Sequence, residues 1–349
     1  MEESSQPVPY VIAGPCSAES PRQLLETARA LKAIGIGVFR AGLWKPRTHP
    51  GGFEGVGAEG LAWLQAVRRE TGMAICTEVG SAAHAEACLA AGLDMVWVGA
   101  RTTANPFLVQ EIAEALRGSG MPVLVKNPVS PDLELWSGAI ERFLSCGLTE
   151  VSAVHRGFTT PYPSPYRNAP LWELGVRLRL QFPDIPFIVD PSHMAGDKSY
   201  IKELSQKALD LGADGLMIES HYAPDAAKSD SAQQLSPEQL GQLLKELSWR
   251  RPDSNDEWYL SRIESLRTEI DHIDSSILSL LAERMAVSRE IGRLKADHSI
   301  SILQTGRWEA VITALRKAAV DAGLDPEMVV KIFSVVHDYS VLEQEKDKD

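Results

Sequence analysis

No stretch of 18 or more apolar residues occurs in the chain, and the opening MEESSQPVPY is acidic and polar with no apolar core. A membrane span and a secretory leader are therefore not expected, and a cytoplasmic protein is. Cysteine is scarce: Cys16, Cys76, Cys88 and Cys146 form no CxxC pair, which argues for reduced thiols over a disulfide framework. Basic charge is outweighed, with 35 Lys and Arg against 47 Asp and Glu and a net charge of -12. Nucleic acid and anionic membranes are poor partners for such a chain, because their phosphates are repelled at long range. No G-x-G-x-x-G follows the first strand-like run, so dinucleotide binding on an open doubly wound sheet lacks support. Apart from the tail EQEKDKD nothing is of low complexity.

What is present is ordinary in bulk, with 44% hydrophobic and 23% charged residues, as in soluble globular proteins. At 349 residues there is room for one barrel of about 250 residues and a small second domain. From Tyr10 to about Leu247 eight short apolar runs alternate with helical patterns: YVIAG, GVFRAG, AICTEV, MVWVGA, PVLVKN, VSAVHRG, FIVDPSH and LMIESH. Helices are expected near 21–34, 82–91, 131–146 and 200–211, and Gly35, Gly72, Gly92, Gly147 and Gly212 suit helix C-caps. Near-continuous apolar strands separated by helices indicate a parallel sheet covered on both faces. Eight units close a (β/α)8 TIM barrel, in the α/β class, over residues 1–247. A polar, proline-containing linker follows at 248–258, and residues 259–349 read as a small all-α domain. There Ile263, Leu266, Ile270, Ile273, Ile277, Leu280, Val287, Ile291 and Leu294 step by threes and fours, the pattern of a long helix packing along a seam. A second helix is expected from Arg307 to Ala322, and a third behind Asp325 and Pro326.

Active residues of such barrels stand at the C-terminal ends of the strands. Those ends carry Cys16, Arg40, Glu78, Arg101, Lys126, Arg156, His193 and Glu219, with Lys45 and Arg47 in the loop after strand two. So many cations at one rim of an acidic chain imply a polyanionic substrate held by arginine forks. Cys16, His193 and Glu219, joined by Asp230, mix soft and hard ligands in the manner of a divalent transition-metal site. Glu78 and His193 are candidates for proton transfer.

These motifs, GPCS, RAGLWKPRT, GAR, KNP, DPSH and IESH with SD, resemble those of 3-deoxy-D-arabino-heptulosonate 7-phosphate (DAHP) synthases over about residues 11–230. The resemblance implies condensation of phosphoenolpyruvate with erythrose 4-phosphate, aided by one bound Mn, Fe, Co or Zn. It implies Cys16, His193, Glu219 and Asp230 as metal ligands and Arg40, Lys45, Arg101, Lys126 and Arg156 as phosphoenolpyruvate contacts. Lys45, Pro46, Arg47, Thr48 and Asp230 would meet erythrose 4-phosphate. The related 3-deoxy-octulosonate 8-phosphate synthases, which typically carry KAN where this chain has KPRT, are the alternative. Lys45, Lys126 and His193 are the catalytic expectations.

Arg284 falls between Leu280 and Val287 where the seam calls for an apolar residue, so a carboxylate or an anionic ligand should meet it. Residues from about 263 to 344, through LRTEIDHID, LLAERMAVSREIGRLK and the pair Ser340 and Gln344, resemble all-helical chorismate mutases. That likeness implies Arg267, Arg284, Lys295, Arg307, Ser340 and Gln344 as chorismate and prephenate contacts, Arg284, Lys295 and Gln344 being catalytic, with no cofactor. It also implies a homodimer in which Arg267 serves the partner's site. Gln304 and Trp308 stand where some members carry acidic residues. A prephenate-sensing or dimerisation module is the non-enzymatic alternative. Because the first strand starts near Tyr10, feedback control of the barrel is expected from the helical domain.

Overall fold

The computed structural model describes residues 10–45, 53–250, 254–303 and 305–345. The chain divides into two compact units, Met1–Pro252 and Asp253–Asp349. In the first, eight strands form a closed parallel barrel in sequence order: β1 (Tyr10–Gly14), β2 (Val38–Arg40), β3 (Ala74–Val79), β4 (Met95–Val98), β5 (Val123–Lys126), β6 (Val151–His155), β7 (Phe187–Val189) and β8 (Gly215–Glu219). The last pairs with the first from Tyr10↔Gly215 to Gly14↔Glu219.

One residue from each strand fills the barrel: Ile12, Val38, Cys76, Trp97, Leu124, Val154, Ile188 and Met217. Since side chains alternate along a strand, the residues two positions on face the same interior at its C-terminal mouth: Gly14, Arg40, Glu78, Gly99, Lys126, Arg156, Asp190 and Glu219. Trp97 is the boundary between the two layers, with the Arg40 guanidinium 4.7 Å and the Lys126 ammonium 5.7 Å from its ring centre. Two glycines open the mouth. At Gly99 a Cβ would run into the Glu78 carboxylate, and at Gly14, where φ is 151°, into the Arg40 carbonyl.

The surrounding helices begin where side chains satisfy their free N–H groups: Ser20, Ser81, Asn105, Asp132 and Ser236 accept from the first turn. Gly35, Gly72, Gly92, Gly147 and Gly212 all have positive φ behind helix ends, as the sequence required. Four expected strand-end residues lie past their strands, Arg156 by one residue and Arg101 on the short helix Ala100–Thr103 after β4. Cys16 stands two residues past β1, and His193 sits on a short helix, Pro191–Ala195, after β7 has ended at Val189.

The second unit contains helices Glu257–Asp297, Thr305–Asp321 and Pro326–Glu345. Asp325 caps the third through Met328 N–H, at 2.7 Å. The expected seam is not closed within one chain. Leu266, Ile270, Ile273, Ile277, Leu280, Val287, Ile291 and Leu294 are all exposed. The long helix instead turns Ser288 and Gly292 inward, and a Cβ at Gly292 would collide with the Gln344 backbone. A small residue there lets the first and third helices approach closely.

Candidate active sites on the barrel and the helical unit

At the barrel mouth the Cys16 thiol donates to Asp230 Oδ2 at 3.1 Å. One ligand atom each from Cys16, Glu219 and Asp230 lie within 4.8 Å of one another. His193 adjoins them, with Nε2 3.6 Å from Glu219 Oε1 and Nδ1 2.8 Å from Asp190 Oδ2. A carboxylate behind a ligating imidazole orients the ring and turns its other nitrogen outward. Thiol, imidazole and two carboxylates converging from four segments fit a divalent transition metal. Burial, then Glu219, pushes the Cys16 thiol up to about 12, so a cation must displace that proton to bind the sulfur.

Cations surround this cluster. Arg40, with its side chain 1% exposed, places Nη2 3.1 Å from Glu219 Oε1, and Lys126 donates to Asp190 Oδ2 at 2.6 Å. Burial, reinforced by Arg40 and opposed by Asp190, holds the Lys126 ammonium below its ordinary value. Burial likewise lowers Arg156 to about 10. Asp190 is held well below the usual carboxylate range because His193 and Lys126 outweigh its burial. Lys45 donates to the Cys16 carbonyl at 3.0 Å. A cleft of about 100 Å³ opens above, lined by Lys45, Arg101, Lys126, Arg156 and Arg167 together with Glu78, His193 and Asp230. A larger groove, about 1210 Å³, lies at the opposite end of the barrel near Tyr10, Gly37 and Trp249 and holds none of these residues.

Three participants escaped the sequence reading. Asp190 stands in the quoted DPSH run but was assigned nothing, although its interior parity could have marked it. Arg167 donates to Asp230 Oδ1 at 2.8 Å, and Gln233 to Glu219 Oε2 at 2.7 Å; the first lies in a loop and the second in a single 3-10 turn, where no periodicity signals a site. Pro46, Arg47 and Thr48 lie outside the described residues, as does Gln304.

In the helical unit Arg284 is half-buried and donates to the Ser340 hydroxyl. A carboxylate or an anionic ligand is expected against Arg284; within the chain the Ser340 hydroxyl of the third helix meets it, and the apolar residues of the same helix stand in solvent. Lys295 donates to the Ile302 carbonyl at 2.5 Å and to Gln344 Oε1 at 3.2 Å. Arg284, Lys295, Ser340 and Gln344 are therefore brought together. Arg307 is exposed on the second helix, and its neighbour Trp308 stacks on His337 with ring centres 4.0 Å apart. Arg267 is exposed, 3.9 Å from Glu264.

Residues 5–252 match the DAHP synthetase I family, and residues 266–345 match chorismate mutase type II. The phospho-2-dehydro-3-deoxyheptonate aldolase of Thermotoga maritima is 32% identical over 237 residues, 68% of each chain. A 2-dehydro-3-deoxyphosphooctonate aldolase of Magnetococcus marinus is 29% identical over 257 residues, 68% of this chain and 85% of that protein. The crystal structure of the Thermotoga maritima DAHP synthase aligns with a TM-score of 0.61 at 31% identity, covering 68% of this chain and 67% of that one. With its closed eight-stranded barrel and its helical C-terminal unit, the chain belongs to the DAHP synthetase I family and carries a chorismate mutase type II domain, which makes it a bifunctional enzyme of the shikimate pathway.

Proposed function

We propose that the barrel condenses phosphoenolpyruvate with erythrose 4-phosphate to DAHP and phosphate, and that the helical unit, from about residue 259 behind a linker at 248–258, rearranges chorismate to prephenate. The observation that carries the first part is the cluster of Cys16, Glu219 and Asp230, joined by His193, at the foot of a cleft lined by cations. Cys16, His193, Glu219 and Asp230 would hold one divalent transition metal, Mn, Fe, Co or Zn, which when bound supplies Lewis acidity to an aldehyde carbonyl. Arg40, Lys45, Arg101, Lys126 and Arg156 serve the phosphate and carboxylate of phosphoenolpyruvate. C3 of phosphoenolpyruvate bonds to the aldehyde carbon, water adds at C2, and the C2–O bond to phosphate breaks. Fixed cations favour the anionic transition state because they need no reorganisation as charge shifts. Lys45 and Asp230, with Pro46, Arg47 and Thr48, serve the aldehyde substrate.

In the mutase, Arg284, Arg307 and Ser340 bind the carboxylates of chorismate, and Lys295 with Gln344 donates to the ether oxygen as its bond to carbon breaks. No nucleophile and no cofactor is needed for this rearrangement. A second copy completes the site. The uncovered stripe on helix Glu257–Asp297 is the surface of a homodimer, across which Arg267 reaches the partner's pocket. Prephenate or chorismate bound there also regulates the barrel.

The octulosonate-type relatives favour one competing reading, in which the aldehyde is a five-carbon sugar phosphate. Phosphate release from phosphoenolpyruvate, measured with erythrose 4-phosphate and separately with arabinose 5-phosphate, separates the two. Turnover with the four-carbon aldehyde is expected, and turnover confined to the five-carbon one overturns the assignment.

A further inference from the structure

Asp230 has φ 48° and ψ 40°, a left-handed conformation uncommon for a residue other than glycine. It opens a single turn of 3-10 helix, Ser231–Gln233, which doubles the chain back onto the end of β8. Leu235 N–H then donates to the Glu219 carbonyl at 3.0 Å. This return delivers two consecutive glutamines, both at most 1% exposed, beneath the cation site.

Gln233 donates from Nε2 to Glu219 Oε2 at 2.7 Å and accepts on Oε1 from Arg167 at 3.1 Å. Only one orientation of the amide serves both neighbours, since a guanidinium can only donate and an ionised carboxylate can only accept. Gln234 is fixed in the same way. Its Oε1 accepts from Cys16 N–H at 3.1 Å, and its Nε2 donates to the Ser229 carbonyl at 2.8 Å. Ser17 and Ser229 hydroxyls, 2.6 Å apart, join the same two loops. Cys16, Glu219 and Asp230 come from three separate segments, and the two glutamines, with the Ser17–Ser229 pair, help tie these together.

We propose that Gln233 and Gln234 are positioning residues of the cation site, Gln233 locking the carboxylate plane of Glu219 and Gln234 fixing the Cys16 backbone beside Asp230. This rests on the proposed metal ligation by Cys16, His193, Glu219 and Asp230. With Arg40 on Oε1, Gln233 on Oε2 fixes the second oxygen and so the rotation of the carboxylate, and partners of this kind are typically worth about 10- to 100-fold in metal affinity.

Cobalt(II), titrated into the metal-free full-length protein and followed by its thiolate charge-transfer absorbance, tests the idea. Gln233→Met keeps the length of the side chain and removes the donor. It should weaken cobalt binding about 10- to 100-fold, with the metal-free melting temperature little changed. Gln234→Met should also weaken binding, and Gln233→Asn, which retracts the amide, should fall between wild type and Gln233→Met. If Gln233→Met fails to fold, the Asn variant decides. A cobalt affinity equal to wild type in the folded Gln233 variants, with only a lower melting temperature, shows a merely structural role and overturns the proposal. A wild-type protein without an absorbance band that Cys16→Ala removes defeats the metal assignment itself, and this proposal with it.

Discussion

His155 lies on β6 but points away from the barrel axis, into a cage of Trp136, Phe158, Trp172 and Phe187 with ring centres 5.4 to 6.0 Å away. Burial lowers its pKa to about 3, against a weaker opposing interaction with the Pro170 backbone. The unfolded chain takes up a proton near pH 6.5, whereas the folded one does so only near 3. Stability is therefore lost as pH falls through that window, by up to about 5 kcal/mol at its lower end. His155→Phe should remove this part of the acid sensitivity. The melting temperature of the variant, followed from pH 7 to pH 4, is expected to fall less than that of wild type; parallel curves would contradict the account. At this scale the barrel site was largely legible, because parity along a strand is a geometric rule: Val38 inside puts Arg40 inside, and Met217 does the same for Glu219. Asp190 obeys that rule. Arg167 and Gln233 do not lie on strands, so nothing in their spacing announced them.

Between elements, the helical unit shows where a pattern exceeds what one chain can bury. Its steps of three and four correctly marked a long helix, but Ile270, Ile273 and Ile277 are 56%, 53% and 49% exposed. Fully burying an isoleucine is worth about 1.5 to 3 kcal/mol, so several in one stripe form an adhesive surface. Periodicity gives the stripe without saying which surface covers it. If the proposed homodimer forms through this stripe, replacing Ile273 and Ile277 together with glutamate should convert it to monomer in sedimentation and lower mutase turnover at least tenfold, because Arg267 then has no partner site to reach. Dimers that persist, or monomers with full mutase activity, would refute the proposed arrangement. Arg284 teaches a related lesson. Its place in the stripe, four residues after Leu280 and three before Val287, suggested burial in an apolar seam; the side chain is instead half-buried and donates to the Ser340 hydroxyl of the third helix.

For the molecule as a whole, a net charge of -12 coexists with a barrel mouth crowded by cations. Two activities on one chain also offer a route for control. Coupling between two binding sites is typically worth about 1 to 3 kcal/mol, or roughly 5- to 150-fold in affinity. Prephenate is expected to inhibit synthase activity of the full-length protein and to leave unaffected a chain truncated after Leu247; equal responses would refute regulation by the helical unit. The central claim is that one chain carries a metal-dependent condensation and a metal-independent rearrangement. The most direct test assays both reactions on the same purified protein before and after chelation, with metal content measured. Synthase activity should fall to background and return with added manganese, while mutase activity stays constant. Full synthase activity in verified metal-free protein, or loss of both activities together, would contradict it.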